Sequence, residues 1–453
     1  MEPRKKNVVV VLTDQQRWDT LGIHHNPMNL TPNLDRMARI GTDVHYAFSC
    51  QPVCGPARAV LQTGLYPTRT DCWCNGRPLP KDAKTIAQCF RENGYRTGYI
   101  GKWHLASTQA VTEDERGGYQ DWLASNLLEF SSDAYDTVLY DENCKPVRLP
   151  GYRVDAICDR AIRYIDEHRQ EPFFLFVSLL EPHFQNHIDA YPAPDGYAAR
   201  YNDPWLPTDL AELGGTAHRH LAGYYGMCKK LDEAYGRVQD ALKSLGLADD
   251  TVVLYTTDHG CHFKTRNGEY KRSGHESSIR IPCVLTGGEF TGGGRIGALV
   301  SLIDLPPTLL DAAGIAPPKE MQGNSLMPLV RREKVDWPDA VYVQISEAQI
   351  GRAVRTRRWK YIVSAPVKPD GSSRDAALYQ EEALYDLQSD PCELDNLIGL
   401  TSHRAVAAEL RALLARRERE LGEGEIQIQE APAREMGQRR VSIRENSFPF
   451  PEV

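Results

Sequence analysis

Ionisable side chains follow four short apolar runs of this sequence, at the point where each run ends. The runs and the residues after them are 7–12 before Asp14, 95–100 before Lys102 and His104, 173–180 before His183, and 251–255 before Asp258 and His259. In an open sheet of parallel strands, ligands bind outside the carboxyl ends of the strands, so that these four ends can form one site. A single polar residue could simply mark where a strand leaves the core. Six ionisable residues at four such ends favour a shared site.

The residue types at these ends are suited to metal binding. Asp14 and Asp258 offer hard carboxylate oxygens, and the Gln15 carbonyl and a His259 ring nitrogen are candidate further ligands. This donor set fits one divalent cation, Ca²⁺ in the first place, with Mg²⁺ or Mn²⁺ as alternatives. Without the cation, two buried carboxylates that face each other would repel, and one would have to take up a proton.

A fifth segment places a cysteine at the start of a predicted helix. Pro56 fits the first turn of this helix and Gly64 its end, so that Cys54 lies at the helix N-terminus. Free backbone N–H groups and the helix dipole favour anions there, and Arg58, one turn further on, adds a planar cation. The alternative is that Cys54 is a small buried apolar side chain, the usual state of a free cysteine.

The elements that must position these residues alternate short β-branched or aromatic runs with longer amphipathic stretches. This pattern predicts the α/β class, with a mostly parallel central sheet flanked by helices. Shorter alternating runs at 338–363 predict an antiparallel sheet in a smaller C-terminal α+β subdomain, followed by a helix at 404–421. We therefore expect a catalytic domain at 1–335, a subdomain at 336–424 and a tail at 425–453. We expect the tail to pack across a subunit boundary, in a possible homo-oligomer, or over the pocket.

The composition excludes several classes of protein. The chain has 453 residues, of which 41% are hydrophobic and 25% charged, as in a soluble globular protein. Its formal net charge of -8 opposes binding to nucleic acid. The apolar run at 173–180 is far shorter than the roughly 20 residues of a membrane span, and we predict neither a membrane contact nor an export signal. Eleven cysteines in such a chain predict reduced thiols and a cytoplasmic location.

The segment Cys54-Gly-Pro-Ala-Arg58 resembles the Cys-x-Pro-x-Arg signature of the formylglycine-dependent sulfatases, in the alkaline phosphatase superfamily. Residues 31–35, 94–104 and 385–393 resemble further blocks of that family in the same order, so that the resemblance extends over about 7–400. It implies an alkaline phosphatase/sulfatase-like fold and hydrolysis of a sulfate monoester to an alcohol and inorganic sulfate. The substrate could be a sugar, aryl or steroid sulfate.

The resemblance also implies how Cys54 works. A formylglycine-generating maturation enzyme would oxidise it to formylglycine, whose hydrate offers one hydroxyl for attack on sulfur and a second for release of the sulfate. Arg58 and the cation, to which residue 54 is also a ligand, would stabilise this hydrate. A plain serine or cysteine would lack the second hydroxyl.

Four other residues receive roles from the resemblance. Lys102 and Lys271 would hold the sulfate oxygens, and His183 together with Lys271 would assist the departing alcohol. His104 would help to deprotonate the second hydroxyl. Lys271 is assigned from a block that ends in Arg280-Ile-Pro, which resembles the Arg-x-Pro of the family.

Two departures from the family pattern leave an alternative function open. Gln15 stands where many sulfatases have a second aspartate, which lowers the negative charge around the metal. Ala57 replaces the usual serine, and together with Gly55 it gives a motif similar to that of phosphonate monoester hydrolases. The alternative is therefore a phosphonate monoester or phosphate diester hydrolase. A catalytically inactive binding protein of the same fold is a further alternative, which the complete set of catalytic residues argues against.

The residues that would select the substrate are open. Four side chains are candidates for the pocket wall, although packing or surface roles are more usual for such residues. They are Trp103, His187, Trp205 and His275.

Overall fold

The computed structural model describes residues 5–367 and 373–435 and contains two sheets with helices around them. The strands of the larger sheet are β1 (Asn7–Thr13), β2 (Thr42–Phe48), β3 (Arg96–Lys102), β4 (Asp121–Ser125), β5 (Thr137–Tyr140), β6 (Pro146–Leu149), β7 (Phe173–Ser178), β8 (Thr251–Thr257), β9 (Arg280–Ile281), β10 (Cys283–Thr286) and β11 (Gly294–Ser301). The strands of the smaller sheet are β12 (Ala340–Ile345), β13 (Gly351–Thr356), β14 (Trp359–Ser364), β15 (Leu378–Asp386) and β16 (Gln427–Gln429).

The α-helices lie mainly between the strands of the larger sheet. They are α1 (Pro32–Ile40), α2 (Cys54–Thr63), α3 (Pro67–Thr70), α4 (Ile86–Glu92), α5 (Leu128–Ser131), α6 (Arg153–Glu167), α7 (Thr208–Glu212), α8 (Ala217–Ser244), α9 (Glu276–Ile279), α10 (Leu305–Ala312), α11 (Met327–Val330) and α12 (Arg404–Glu420). In the part of the chain that the structure describes, none of the helices combines the length and the apolar character that crossing a bilayer requires.

The larger sheet has the strand order β11-β2-β10-β8-β1-β7-β3-β4-β5-β6, with β9 paired to β2. Its centre is parallel, because β1 pairs in parallel with both β7 and β8, and β3 with both β7 and β4. Antiparallel pairs occur where β10 joins β8 and towards the β6 edge. The prediction of an α/β fold with a mostly parallel sheet is confirmed.

Strand β1 shows why the sheet is buried on both faces. Successive side chains of a strand point to opposite faces. Val8 and Val10 accordingly pack in a cluster with residues of α2, α4 and α10, whereas Val9 and Val11 pack with residues of α1, α6 and α8. A continuous apolar run is typical of a strand covered by helices on both sides.

The smaller sheet is antiparallel from β12 to β15, as the alternating pattern predicts. It packs on the larger sheet, because one hydrophobic cluster contains both Val8 and Tyr342. The boundary near residue 335 stays a prediction.

The first residues of the tail form a strand. Strand β16 pairs in parallel with β15 of the same chain, with Ile428 opposite Tyr379, and a contact of the tail with another subunit or over the pocket stays a prediction. The free edge of β15 explains this pairing, since an edge strand offers unpaired backbone groups. Phe448 and its neighbours lie outside the described residues.

Candidate active site

The strand ends that carry the candidate residues lie side by side in the sheet. Strands β8, β1, β7 and β3 are consecutive and parallel, so that their carboxyl ends open at one edge. A cavity of about 440 Å³ lies there. Of the candidate residues, it is lined by Gln15, Cys54, His104, His183 and Lys271.

Four buried side chains below this cavity could hold a metal ion. The ligand atoms of Asp14, Cys54, Asp258 and His259 all lie within 4.8 Å of one another. The Cys54 sulfur is 3.3 Å from Asp14 Oδ1 and 3.2 Å from His259 Nε2. Oxygen, nitrogen and sulfur donors in one buried cluster are a donor set for a divalent cation.

Two oxygens at this cluster have no hydrogen-bond partner among the described residues. They are Gln15 Oε1 and Asp258 Oδ2, both fully buried. The Gln15 amide is held by its other end, because Nε2 donates to the Tyr191 hydroxyl at 2.9 Å. Since a buried acceptor without a partner is costly, two such oxygens beside the cluster fit a bound cation.

The ring of His259 is oriented in the same way. Its Nδ1 lies 2.8 Å from the Gly260 carbonyl and can only donate there, which leaves the Nε2 lone pair to face the cluster. A hydrogen bond of this kind on the outer nitrogen fixes the tautomer of a metal-binding histidine.

Arg58 and Lys102 compensate the negative charge of the two carboxylates. Arg58 donates to Asp14 Oδ2 at 2.9 Å and lies 3.3 Å from Asp258 Oδ2, while Lys102 donates to Asp14 Oδ2 at 2.9 Å. Burial would raise the pKa of Asp14, and the Cys54 sulfur would too, but the charges of Lys102, His183 and Arg58 lower it below its usual range. The pKa of Asp258 is raised, by burial and by the Asp14 charge.

The surroundings of Cys54 favour a negative charge. The residue is the first of α2, and its sulfur accepts from Lys271 Nζ at 2.8 Å. Burial opposes ionisation, yet the charges of Lys102 and Lys271 lower the pKa of the thiol well below its usual value. A helix N-terminus with two lysines beside it is an anion-binding arrangement.

His183 stands next to Lys271 on the cavity wall. Its Nδ1 lies 2.6 Å from the Phe184 carbonyl, and its Nε2 lies 3.4 Å from Lys271 Nζ. Because Nδ1 is fixed as the donor, Nε2 is the nitrogen that faces the cavity and can exchange a proton there.

His104 follows the end of β3 in the left-handed backbone region, with φ of 64°. Its Nδ1 is buried without a hydrogen-bond partner among the described residues. The ring is close enough to Cys54 to contribute to the low pKa of the thiol.

All eleven cysteines of the chain are free.

Several residues of the site were missed by sequence reasoning. Glu129 on α5 accepts from Lys102 at 3.0 Å, and this lysine lowers its pKa to about 2 although burial acts the other way. Asn75 accepts from the Gly55 N–H at 2.9 Å, at the start of α2. Ser178 accepts from Arg58 at 2.6 Å. Of these three residues, only Ser178 could have been suspected from the sequence, because it is a polar residue inside the apolar run at 173–180.

The four candidates for the pocket wall lie elsewhere. Trp103 is fully buried among Tyr99, Tyr119 and Trp122, which explains the indole as packing. The other three are absent from the wall of this cavity: His275 is buried beside Tyr385, His187 pairs with Asp133 at the surface, and Trp205 lines a different cavity.

Comparison with known proteins identifies relatives of the whole chain. A family model described as Sulfatase matches residues 6–315, and one described as N-sulphoglucosamine sulphohydrolase, C-terminal, matches residues 268–420. The chain is 30% identical over 442 residues to the ulvan-active sulfatase of Formosa agariphila, an alignment that covers 93% of this chain and 83% of that protein.

Solved structures share the fold at low sequence identity. One is a complex with its substrate D-glucosamine-2-N,6-O-disulfate, with a TM-score of 0.77, 22% identity and coverage of 93% of this chain and 97% of the other. Another is the phosphonate monoester hydrolase of Agrobacterium radiobacter, with a TM-score of 0.71, 22% identity and coverage of 92% and 96%.

Proposed function

We propose, since this chain belongs to the sulfatase family and hydrolyses sulfate esters, that the cavity above Cys54 is its active site and that a sulfated sugar is its substrate. The observation that carries the proposal is the position of Cys54. Its sulfur lies at a helix N-terminus, 2.8 Å from Lys271 Nζ and next to the candidate metal ligands. The sugar class is supported by the solved complex of a relative with a sulfated glucosamine.

The proposed cofactor is one divalent cation, in the first place Ca²⁺. Asp14, Gln15, Asp258, His259 and residue 54 would hold it, and the two oxygens without a hydrogen-bond partner among the described residues support this set. When bound, the cation supplies positive charge that stabilises a negative oxygen. We further propose, from the family, that a maturation enzyme converts Cys54 to formylglycine.

The side chains of the site can then be given separate tasks. Lys102 and Lys271, whose charges already favour an anion at residue 54, bind oxygens of the sulfate group. Arg58 donates hydrogen bonds to Asp14 and Ser178, which hold its positive charge close to residue 54. Fixed hydrogen-bond donors of this kind act without reorganisation.

Proton transfer falls to the two histidines of the cavity. His183 presents Nε2 beside Lys271 Nζ, and from there it protonates the oxygen of the departing alcohol. His104, which lines the same cavity near residue 54, accepts a proton during release of the sulfate.

The alternative reaction on phosphonate monoesters or phosphate diesters is supported by Gly55 and Ala57. The structure gives Gly55 another explanation, because a Cβ there would lie 3.0 Å from Asn75 Oδ1. The glycine therefore permits the Asn75 contact at the start of α2, which weakens it as a marker of the reaction.

Mass analysis of the peptide that contains Cys54, together with a substrate panel, tests the proposal. The panel contains sulfated monosaccharides, an aryl sulfate and a phosphate diester, and Cys54→Ala is the control. We expect the aldehyde at position 54 and the highest kcat/KM on a sulfated sugar. Aldehyde-bearing protein that cleaves only diesters would overturn the proposal in favour of the alternative.

A further inference from the structure

A second cavity, which we call the arginine cavity, has a volume of about 570 Å³. No described residue lines both this cavity and the one above Cys54. Of the side chains that the structure describes, six on its wall are arginines and four are carboxylates. The arginines are Arg17, Arg266, Arg280, Arg355, Arg357 and Arg358.

The carboxylates of the arginine cavity are already paired. Asp19 and Asp209 both bind Arg17, at 2.6 and 2.8 Å. Glu276 lies 3.3 Å from Arg355 and 2.8 Å from Lys360.

Glu393, the fourth carboxylate, lies 2.7 Å from Lys360 and accepts from the Glu276 N–H. Lys360 therefore balances this part of the wall together with Arg355. The carboxylates do not neutralise the remaining arginines.

Arg280 is the buried cation without such a partner. Only 8% of the residue is exposed, and within the described ranges no carboxylate reaches salt-bridge distance. One guanidinium nitrogen donates to the His45 carbonyl at 3.0 Å, whereas Nε has no partner among the described residues. The guanidinium stacks on Trp18, at 3.6 Å from the ring centroid. Burial lowers its pKa to about 10 although the charge of Glu276 acts the other way, and Arg355 lowers it further; the group stays charged at neutral pH.

Other cations surround the same place. The Tyr46 ring has Arg280 at 4.8 Å, Arg357 at 4.4 Å and Arg355 at 5.4 Å from its centroid. Of these three, only Arg355 has a carboxylate partner among the described residues. Arg357 is exposed and donates to the Gly297 carbonyl. A buried charge is stable only when another charge or several hydrogen bonds compensate it. Arg280 has the charge of Glu276 at longer range but no salt bridge among the described residues, so that it and Arg357 can still bind an anion.

We propose that the arginine cavity is a second, non-catalytic site that binds a tetrahedral oxyanion, a sulfate or phosphate group, through Arg280 and Arg357. The planar fork of arginine matches two oxygens of such a group. Contacts of Arg280 with Trp18 and Tyr46, and of Arg357 with Tyr46, restrain the two guanidinium groups. The cavity volume is within the range of small-molecule sites, so that the oxyanion can also be carried by a sugar.

Calorimetric titration of the full-length protein tests this inference. The probes are sodium sulfate, sodium phosphate and glucose 6-sulfate at constant ionic strength, with sodium chloride as the reference anion. All variants are made in the Lys271→Ala protein, because this substitution weakens anion binding in the cavity above Cys54. Arg357→Gln and Arg280→Gln are introduced separately, and Arg148→Gln is the matched control, because Arg148 is exposed and lies outside the cavity.

We expect the Lys271→Ala protein to bind sulfate or phosphate, and Arg357→Gln to weaken this binding about tenfold, as the loss of one charge-assisted contact would. Arg280→Gln should do the same, and the exposed Arg357 keeps the test decisive if that variant misfolds. Equal affinity for sulfate and glucose 6-sulfate would assign the free ion, and tighter binding of the ester would assign a sugar-borne group. Lack of binding in the Lys271→Ala protein, equal binding of chloride, or equal losses in Arg357→Gln and Arg148→Gln would overturn the proposal.

Discussion

Asp14 and Asp258 show how opposite environments act on one residue type. Both are fully buried, which raises the pKa of a carboxyl, but only Asp14 has enough cations close by to reverse this. Lys102 and Arg58 both donate to its Oδ2. Asp258 Oδ2 lies 3.3 Å from Arg58 but has no hydrogen-bond partner among the described residues. Two carboxylates so close together fit the cation that is proposed for this site.

Lys271 can be tested by substitution. We expect Lys271→Ala to lower kcat/KM on a sulfate ester by about 10²- to 10³-fold, the usual effect of removing one donor that stabilises a transition state. Arg272→Ala is the matched control, because Arg272 lines the same cavity but pairs with Glu347 and Glu269. Steady-state kinetics measures both. A loss in Arg272→Ala as large as that in Lys271→Ala would contradict the role of Lys271.

Removal of the cation should destabilise the protein. Without it, Asp14 and Asp258 repel, so that EDTA is expected to lower the midpoint of thermal unfolding, and added Ca²⁺ to restore it. A cation at a hundred times its dissociation constant contributes about 2.7 kcal/mol to the free energy of unfolding.

Asp258→Asn is the control for the chelator experiment. It removes one of the two repelling charges and should reduce the effect of EDTA on the unfolding midpoint. An unchanged midpoint of the unsubstituted protein in EDTA would count against a resident cation.

At the scale of elements, the strands were predictable and their exact ends were not. The run before Lys102 was expected to end at residue 100, but β3 continues through Lys102 because it pairs with β4 up to Ser125. Helix α2, by contrast, begins at Cys54, has Pro56 in its first turn and ends before Gly64, as predicted. Apolar periodicity marks where a strand is buried, whereas its ends depend on pairing partners that are distant in the sequence.

Residues without a local pattern could not be found from the sequence. Glu129 lies on a helix of four residues, and only the folded chain brings it to Lys102. The arginine cavity likewise combines Arg280 and Arg357 with Trp18 from the other end of the chain. Strand order decides such contacts, and the sequence leaves it open.

Gly101 in β3 tests how tightly this strand is placed. Its φ is +112°, and a Cβ there would lie 1.9 Å from the Ser178 carbonyl oxygen. We expect Gly101→Ala to lower the free energy of unfolding by about 3 kcal/mol or more, since the strained backbone and the clash add. Gly297→Ala is the control, because no atom lies within 4 Å of a Cβ at that strand position. Urea unfolding that shows equal stability of the two variants would refute this account.

At the scale of the whole molecule, the smaller sheet is joined to the larger part by buried charges as well as by the apolar cluster. Lys360 of β14 lies 2.8 Å from Glu276 of α9 and 2.7 Å from Glu393. Arg355 of β13 also binds Glu276. Helix α9 begins five residues after Lys271 in the chain, so this network helps to place the lysine of the candidate active site.

Lys360 is therefore expected to contribute more to the free energy of unfolding than the exposed Arg358. Lys360→Ala leaves Glu276 and Glu393 buried with one cation fewer, and removal of one member of a buried pair costs about 3–5 kcal/mol. Arg358→Ala breaks the ion pair between Arg358 and Asp386. Because the Arg358 side chain is 54% exposed, this loss should cost about 1 kcal/mol or less. Urea unfolding compares the two variants with the unsubstituted protein. If Arg358→Ala costs as much as Lys360→Ala, burial is not what gives the Lys360 network its strength, and the smaller sheet must be held chiefly by the apolar cluster.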